Sequence, residues 1–430
     1  MKSAITKSLL LIFAALFLCA VCIAQSQTSS TAPTTRFATL YQFLGAADGG
    51  SSYVRLVADS TGAMYGTTPN GGTQGLGNIF QMGPPAAGGG TWSYSVLYSF
   101  GGASDGVIPE SSLTIDVAGN LYGTTYQGGT ANLGTVFELL PPLVTGGAWT
   151  EKVLYSFQGG NDGRNPYGGV TFDKNGNLYG TTQQGGVYLC TERRLSCGTI
   201  YQLTPTGSTW TETVLYQFQG RADGAFPDTA LAIDSKGALY GTTTYSGGLN
   251  PRYGGVVFQL NPQTGGLWTF ATLYDFIGTG QPGFEGDLLL DGRGALYGTS
   301  WSGGSSDMGF VYRLKPGSSA GTWTFSNLWS FSGIDGSLPQ GGVIRGTKGV
   351  LHGTTYSGGD LNKCNFIGCG VVFKLVAGTG DVWTGSVLHQ FTGAKDGAAP
   401  QGALLRDRNG ILYGTTSAGA KGSGTIFKTK

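Results

Sequence analysis

Short runs of aromatic and β-branched residues alternate along the chain with glycine-rich turns. The most regular run is Leu-Tyr-Gly-Thr-Thr, found whole at residues 121–125. Its four-residue core, with two single-residue variants, occurs seven times at starts 57, 57, 61, 57, 55 and 61 residues apart: Tyr65, Tyr122, Tyr179, Tyr240, Tyr297, His352 and Tyr413. Self-similarity at a near-fixed period is the signature of a repeat architecture.

Three further runs accompany each copy. One is Val-Leu-Tyr-x-Phe, as at residues 153–157, and another is Gly-Thr-Val-Phe, as at residues 134–137. The third is a short apolar run that ends in Asp-x-x-Gly, as at residues 113–119. Aromatic and β-branched residues favour strands, and Asp followed by Gly favours tight hairpin turns. Each repeat therefore predicts four strands with hairpin-length connections, which is typical of a β-propeller blade.

The two ends of the repeat array are out of phase. The chain begins with the fourth strand type, near Leu40, and ends with the third type, at residues 424–427. An open solenoid has no reason to begin and end in this way, whereas a ring closed by its first strand removes an open sheet edge. The sequence predicts an all-β, seven-bladed β-propeller of four-stranded blades, with the N-terminal strand pairing into the last blade.

The composite motif also resembles a known family. Leu-Tyr-Gly-Thr-Thr, Gly-Gly, Gly-Thr-Val-Phe, Trp-Thr-x-x-Val-Leu-Tyr-x-Phe and Asp-Gly-x-x-Pro together are similar to the GloVer (Gloeo-Verruco) tandem repeat of exported bacterial proteins. The resemblance spans nearly everything from Phe37 to Lys430. It implies no catalytic residues.

Composition narrows the function classes. Of 430 residues, 78 are glycine and only 11% are charged, with a net charge of +1. Without basic blocks, binding of nucleic acid by a charged face is not expected, nor is electrostatic docking to a membrane. No phosphate loop or dinucleotide fingerprint is present, so no cofactor is expected. We expect a monomer.

The N-terminus predicts export. Residues 1–24 have a positive start at Lys2 and Lys7, an apolar stretch and small residues before position 25, as in a cleaved signal peptide. Residues 25–35 form a Ser/Thr/Pro-rich lead, and residues 36–430 form a single propeller. The remaining cysteines are two close pairs, Cys190 with Cys197 and Cys364 with Cys369, which an oxidising compartment would join as disulfides. We expect a secreted protein, extracellular or periplasmic, without a membrane span in the mature chain.

The residue three positions before the apolar anchor of the inner strand is polar or aromatic in every repeat. We call these positions the mouth ring: Tyr53, Glu110, Tyr167, Asp228, Glu285, Gln340 and Gln401. If the Asp-x-x-Gly strand is innermost, the mouth ring surrounds one opening of the central channel. Such a set suits a ligand site, and it equally suits a wet channel mouth that tolerates polar side chains.

A second candidate set consists of aromatic residues before Gly-Gly, namely Tyr126, Tyr245, Trp301 and Tyr356. They would stack on sugar rings, or cover their own blades. The Asp-Gly aspartates occur once in each of six repeats and are absent from the fifth, so they predict turns rather than a calcium site, which needs several carboxylates together. We expect no metal.

Two functions remain. The first is a non-enzymatic binding module for a glycan or a protein. The second is a polysaccharide hydrolase or lyase that uses Glu110, Asp228 and Glu285, and it requires these carboxylates to converge with at least one raised pKa. The absence of a convergent catalytic set in the sequence favours the binding module, and no residue is assigned as catalytic.

Overall fold

The computed structural model describes residues 37–430 except 87–88, 103, 145, 191–194, 221, 246–253, 277–285, 320 and 420. The predicted signal peptide and the lead at 25–35 lie outside the described residues. Residues 37–430 form one compact unit. No helix in the described part of the chain is long and apolar enough to cross a membrane.

The described residues form 28 strands. The first strand, β1 (Ala38–Gln42), is separated in sequence from the other strands of its blade. Three complete blades follow: β2 (Val57–Ala58), β3 (Met64–Thr68), β4 (Asn78–Gly83), β5 (Ser93–Ser99); β6 (Thr114–Ile115), β7 (Leu121–Thr125), β8 (Thr135–Leu140), β9 (Thr150–Ser156); β10 (Thr171–Phe172), β11 (Leu178–Thr182), β12 (Thr199–Thr206), β13 (Thr209–Gln217).

The rest of the chain continues the same order. Blades four to seven comprise β14 (Ala232–Ile233), β15 (Leu239–Thr242), β16 (Val256–Pro262), β17 (Trp268–Asp275); β18 (Leu289–Leu290), β19 (Leu296–Ser300), β20 (Phe310–Pro316), β21 (Trp323–Ser330); β22 (Ile344–Arg345), β23 (Leu351–Thr355), β24 (Val371–Ala377), β25 (Trp383–Gln390); β26 (Leu405–Arg406), β27 (Leu412–Thr416), β28 (Thr425–Thr429). Short 3-10 turns lie at Gly160–Asp162, Thr264–Gly266, Thr347–Gly349 and Thr379–Asp381.

The strands form seven antiparallel four-stranded sheets, each in sequence order from inner to outer strand except the last. In the seventh blade the order is β26-β27-β28-β1, and β1 pairs with β28 from Ala38 opposite Lys428 to Gln42 opposite Thr425. The predicted seven-bladed propeller, closed by its N-terminal strand, is confirmed. The inner strands are only two residues long, because each runs at once into a tight turn, which is Asp-x-x-Gly in every blade except the sixth.

The glycine of the repeated Tyr-Gly-Thr-Thr phrase is fixed by packing across the blade. In the second blade, Gly123 lies opposite Phe137, and a Cβ on Gly123 would stand 2.7 Å from Cζ of that ring. All seven blades place an aromatic ring over the equivalent glycine in this way. The ring over each glycine is fully or almost fully buried, so the repeated phrase is part of the hydrophobic core of each blade.

The tyrosine of the phrase closes the inner hairpin. Tyr122 donates a hydrogen bond to Asp116, whose other carboxylate oxygen accepts the backbone N–H groups of Ala118 and Asn120. The sixth blade lacks both partners, since His352 replaces the tyrosine and Gly346 replaces the aspartate. A Cβ on Gly346 would lie 2.7 Å from the His352 ring, so the imidazole fills the space that the aspartate occupies elsewhere.

The first threonine of the phrase links neighbouring blades. Its hydroxyl donates to a backbone carbonyl of the next inner segment in six blades: Thr67 to Ser111, Thr124 to Gly168, Thr181 to Thr229, Thr299 to Gly341, Thr354 to Gly402 and Thr415 to Val54. The last of these bonds spans 361 positions and joins the seventh blade to the first. The repeated phrase therefore has three structural roles: its glycine accommodates a packed ring, its tyrosine closes the inner hairpin, and its first threonine links neighbouring blades.

Thr415→Val is expected to lower the free energy of unfolding by about 1 kcal/mol, because it removes a buried hydrogen bond and leaves the Val54 carbonyl without that donor. Denaturant unfolding measures the change. Thr39→Val is the matched control, since its hydroxyl also bonds a backbone carbonyl of another blade, that of Lys395, but in an exposed position. Equal losses in the two variants would contradict the role assigned to Thr415.

Adjacent blades also contact one another along their outer strands, and we call each such contact a seam. At most seams an aromatic residue of one outer strand stacks on a ring of the next: Tyr94 on Tyr41, Phe270 on Tyr216, Phe325 on Tyr274 and Phe37 on His389. At a fifth seam Trp329 fills the space above Gly385.

Two seams carry a glutamate where the others carry a ring or a glycine. The residue two positions after the repeat tryptophan is Glu151 in the second blade and Glu212 in the third. Each has a buried Oε1 without a hydrogen-bond partner among the described residues. The charge of Asp105 acts on Glu151, and the charge of Asp162 acts on Glu212. These aspartates accept hydrogen bonds from Tyr98 and Tyr155 of the preceding blades. Blade two is therefore flanked by two acidic seams.

Candidate functional site

Two sets of loops lie at the same end of the ring. Isolated backbone pairs join the segment after each Asp-Gly turn to the segment after each Gly-Thr-Thr, as in Val107 with Gln127 and Arg164 with Gln184. We call this end the loop face. The Asp-Gly aspartates hold their own turns: Asp105 accepts the Tyr98 hydroxyl at 2.6 Å and two backbone N–H groups. Within the described residues no group of three or more His, Cys, Asp or Glu side chains is placed to hold a metal ion.

The mouth ring surrounds one cavity on the channel axis. This cavity has a volume of about 80 Å³ and is lined by six of the seven ring positions: Tyr53, Glu110, Tyr167, Asp228, Gln340 and Gln401. The seventh, Glu285, lies outside the described residues. Glycine backbone from blades three, five, six and seven forms much of the remaining wall. The structure therefore brings together side chains that are up to 348 positions apart (53 to 401) in the sequence.

Hydrogen bonds join ring residues of neighbouring blades in two places. The Tyr53 hydroxyl donates to Glu110 Oε1 at 2.5 Å, and Gln401 Nε2 donates to Gln340 Oε1 at 2.9 Å. Burial raises the pKa of Glu110 above its ordinary value, although the bond from Tyr53 opposes the shift. Burial and the Glu110 charge raise the pKa of Tyr53 as well. Both shifts favour the protonated forms of the two side chains.

The fourth and fifth blades supply two more carboxylates. Asp228 Oδ2 accepts a hydrogen bond from the Thr244 hydroxyl. Asp287, which also lines the cavity, accepts the backbone N–H of Ala230 at 2.9 Å. Each of these side chains is thus oriented by a neighbour on the loop face or the inner strand.

The aromatic candidates do not share one environment. Tyr126 is half-buried beside the mouth: its hydroxyl bonds Gln183 at 3.1 Å, and its ring makes an edge contact with Tyr167. Burial, together with the charges of Glu110 and Asp228, raises its pKa. Trp301 and Tyr356 hold the equivalent position in blades five and six, but neither lines the cavity.

Tyr245 differs from the other three aromatic candidates by one position. Thr244 takes the place equivalent to Tyr126, and Tyr245 instead pairs through its backbone with Ala225 and makes an edge contact with the Phe226 ring. Successive residues of an extended segment point in opposite directions. The side chain of Tyr245 therefore faces away from the direction that Tyr126 takes.

Two charged residues of the cavity wall were missed by the sequence reasoning. Arg55 and Asp287 lie two positions after the ring residues of blades one and five. The other repeats have Ser112, Gly169, Ala230, Gly342 and Ala403 at this position. An alignment of the seven repeats shows a charged residue at a position where the other copies have a small one, and this difference could have identified Arg55 and Asp287.

The two predicted disulfides, Cys190–Cys197 and Cys364–Cys369, are confirmed, each with a Cα–Cα distance of 5.3 Å. Both clamp loops of the loop face, and both loops display apolar side chains, such as Leu189 (59% exposed) and Phe366 (82% exposed). Such bonds are consistent with an oxidising compartment, extracellular or periplasmic.

Comparison with known proteins identifies the repeat. A family model described as the Gloeobacter/Verrucomicrobia repeat matches residues 27–190, 144–367 and 288–430, which together span 27–430. No curated protein sequence matches the chain. Among solved structures, a protein of unknown function from Dyadobacter fermentans is similar at 12% identity, with a TM-score of 0.46, over 92% of this chain and 98% of that one. A likeness at this level carries no argument about function.

Proposed function

The chain belongs to the Gloeobacter/Verrucomicrobia repeat family, and we propose that this member is an exported binding module that takes a glycan or a protein at the mouth of its channel. The observation that carries the proposal is the cavity itself. Six mouth-ring residues from six blades line it, and all of them carry a side-chain oxygen or nitrogen that can form hydrogen bonds. Polar groups from several blades that meet at one cavity are typical of ligand pockets, where they fix the orientation of the bound molecule.

The size of the cavity limits how a ligand enters. Pockets that enclose a small molecule usually measure about 300–1,000 Å³, and this one is about 80 Å³. Only the end of a larger ligand fits, such as one terminal sugar, while the remainder lies across the loop face. Tyr126 and the ring residue Tyr167 offer aromatic surface beside the opening.

Tyr167→Ala is expected to weaken binding of a glycan found on an array by about tenfold, because it removes the aromatic wall of the cavity. The array and a cell-wall pull-down are performed with the mature protein. Trp301→Ala tests the outer part of the face and is expected to weaken binding less. Tyr245→Ala is the matched control, since its ring packs on Phe226 instead. Absence of any glycan or protein ligand would leave a structural role and refute the proposal.

A polysaccharide hydrolase or lyase remains the second candidate, and one observation favours it. Glu110 and Asp228 line the same cavity, and Glu110 has the raised pKa that a general acid requires. A reducing-end assay on any glycan that binds separates the two functions. Hydrolysis that is lost in both Glu110→Gln and Asp228→Asn would establish the enzyme, whereas binding without turnover would support the module.

A further inference from the structure

Arg55 is one of the two charged residues of the cavity wall that do not belong to the mouth ring, and it is the cation of the pair. It lies one layer deeper than Tyr53 on the innermost segment of the first blade and lines the same cavity. Three of the equivalent residues that share this lining, Gly169, Gly342 and Ala403, have no side chain beyond Cβ. A long cationic side chain therefore projects into a space that those blades leave open.

The guanidinium of Arg55 has no partner among the described residues. The backbone N–H of Arg55 bonds the Ser112 hydroxyl at 3.1 Å, but no described side chain or carbonyl accepts a hydrogen bond from the guanidinium. The four ion pairs of the described chain involve other cations: Arg313, Lys315, Arg345 and His389. Its Nε is buried without an acceptor. A cation in such a position costs free energy unless an anion or an ordered acceptor meets it.

The carboxylates of the same cavity already have donors. Glu110 accepts the Tyr53 hydroxyl, Asp228 accepts the Thr244 hydroxyl, and Asp287 accepts the N–H of Ala230. Burial also favours the neutral form of Glu110, which lowers the negative charge that an incoming anion would meet. Among the described residues that line the cavity, Arg55 is the one cation.

We propose that the channel mouth recognises the carboxylate of an acidic glycan, a uronic acid residue, with Arg55 as its counter-ion. This inference rests on the proposed binding function and names the class of ligand. Arginine offers a planar fork of N–H donors that matches a carboxylate. The amides of Gln340 and Gln401 and the hydroxyls of Tyr53 and Tyr167 surround it with donors and acceptors, which suits a ring bearing hydroxyl groups beside its carboxylate.

The test compares matched pairs of ligands on the wild-type protein. Each uronate oligosaccharide of a panel is paired with the same oligosaccharide after reduction of its carboxyl groups, and both are titrated by calorimetry. At least one acidic member is expected to bind about tenfold or more tightly than its neutral partner, with a preference that falls as salt rises. Because this comparison needs no variant, it stands even if a substitution impairs folding.

Variants then assign the preference to Arg55. Arg55→Gln is expected to abolish the preference for the acidic member, and Arg55→Lys to retain part of it. Arg164→Gln removes the same charge from the loop face, where Arg164 bonds Gln184, and is expected to keep the preference. Equal affinity for acidic and neutral members would overturn the inference and leave the binding function standing. Binding of acidic peptides with no glycan binding would also overturn it, and no ligand of any kind would refute the proposed function.

Discussion

Gly123→Ala is expected to lower the free energy of unfolding by about 3 kcal/mol, although it adds a single methyl group. The new Cβ would lie 2.7 Å from Phe137 Cζ and 3.0 Å from Leu113 Cδ2. Neither side chain has room to retreat, since both are fully buried and Phe137 also packs edge-on against Phe100. Chemical denaturation of the variant and the wild type measures the loss.

Gly292→Ala supplies the control for this prediction. Gly292 has no left-handed backbone conformation, and a Cβ built on it meets nothing within 4 Å. We expect this variant to stay within about 0.5 kcal/mol of the wild type, as is usual for substitutions in open positions. If Gly123→Ala proved equally mild, the ring packed over each repeat glycine would not be the reason that glycine occupies this place.

The second large effect concerns the acidic seams. The double variant Glu151→Gln, Glu212→Gln is expected to gain stability relative to the wild type as the pH rises from about 5 to about 9. Burial and the neighbouring Asp105 raise the pKa of Glu151 from 4.5 to about 8, and burial and Asp162 raise the pKa of Glu212 from 4.5 to about 7. The folded protein therefore binds these protons more tightly than the unfolded chain does.

The sign follows from proton binding. Below about pH 4.5 both states carry the protons, so the seams cost nothing extra. Between pH 4.5 and the raised values, the unfolded chain has released protons that the folded protein still holds, and stability falls as pH rises. We expect a relative gain of about 1–2 kcal/mol per site at pH 9, less than the full shifts would give, since the carboxyls keep some contact with water.

Thermal or denaturant unfolding of both proteins across this pH range gives the difference in their free energies of unfolding. The contributions of the other titrating groups cancel, because both proteins contain them. Glu151→Tyr is a further check on the seam: it restores the ring that Tyr94 provides against Tyr41, and it should stabilise the fold by stacking on Tyr98. A difference between the double variant and the wild type that does not change with pH would mean that the two carboxyls are ionised in the folded state.

The sequence was sufficient to predict the architecture, because each repeat has strand-forming and turn-forming residues at the same positions. Seven copies of each strand type, with ends out of phase, allow one closed arrangement, and β1 beside β28 is that arrangement. The mouth ring was likewise found by its fixed offset from a buried leucine or valine. The ligand-binding role of these residues stays a prediction, as does the signal peptide.

Features that depend on contacts between blades were beyond sequence reasoning. Nothing local in Trp-Thr-Glu indicates that Glu151 is partly buried within reach of the Asp105 charge, since that burial follows from packing on the preceding blade. Arg55 was missed because the repeats were compared at the position of Tyr53, two residues before it. Tyr245 was grouped with Tyr126 by proximity to Gly-Gly, yet a shift of one residue turns it toward Phe226.

The closing strand also sets an order of events during biosynthesis. Among the strands of the propeller β1 is made first and its partner β28 last, since Ala38 pairs with Lys428, 390 positions later. Until then β1 has an unsatisfied edge, and a neighbouring copy whose β28 is already made offers it the complementary partner. The feature that gives the finished ring its stability is thus also the point at which an unfinished chain is most exposed to strand exchange.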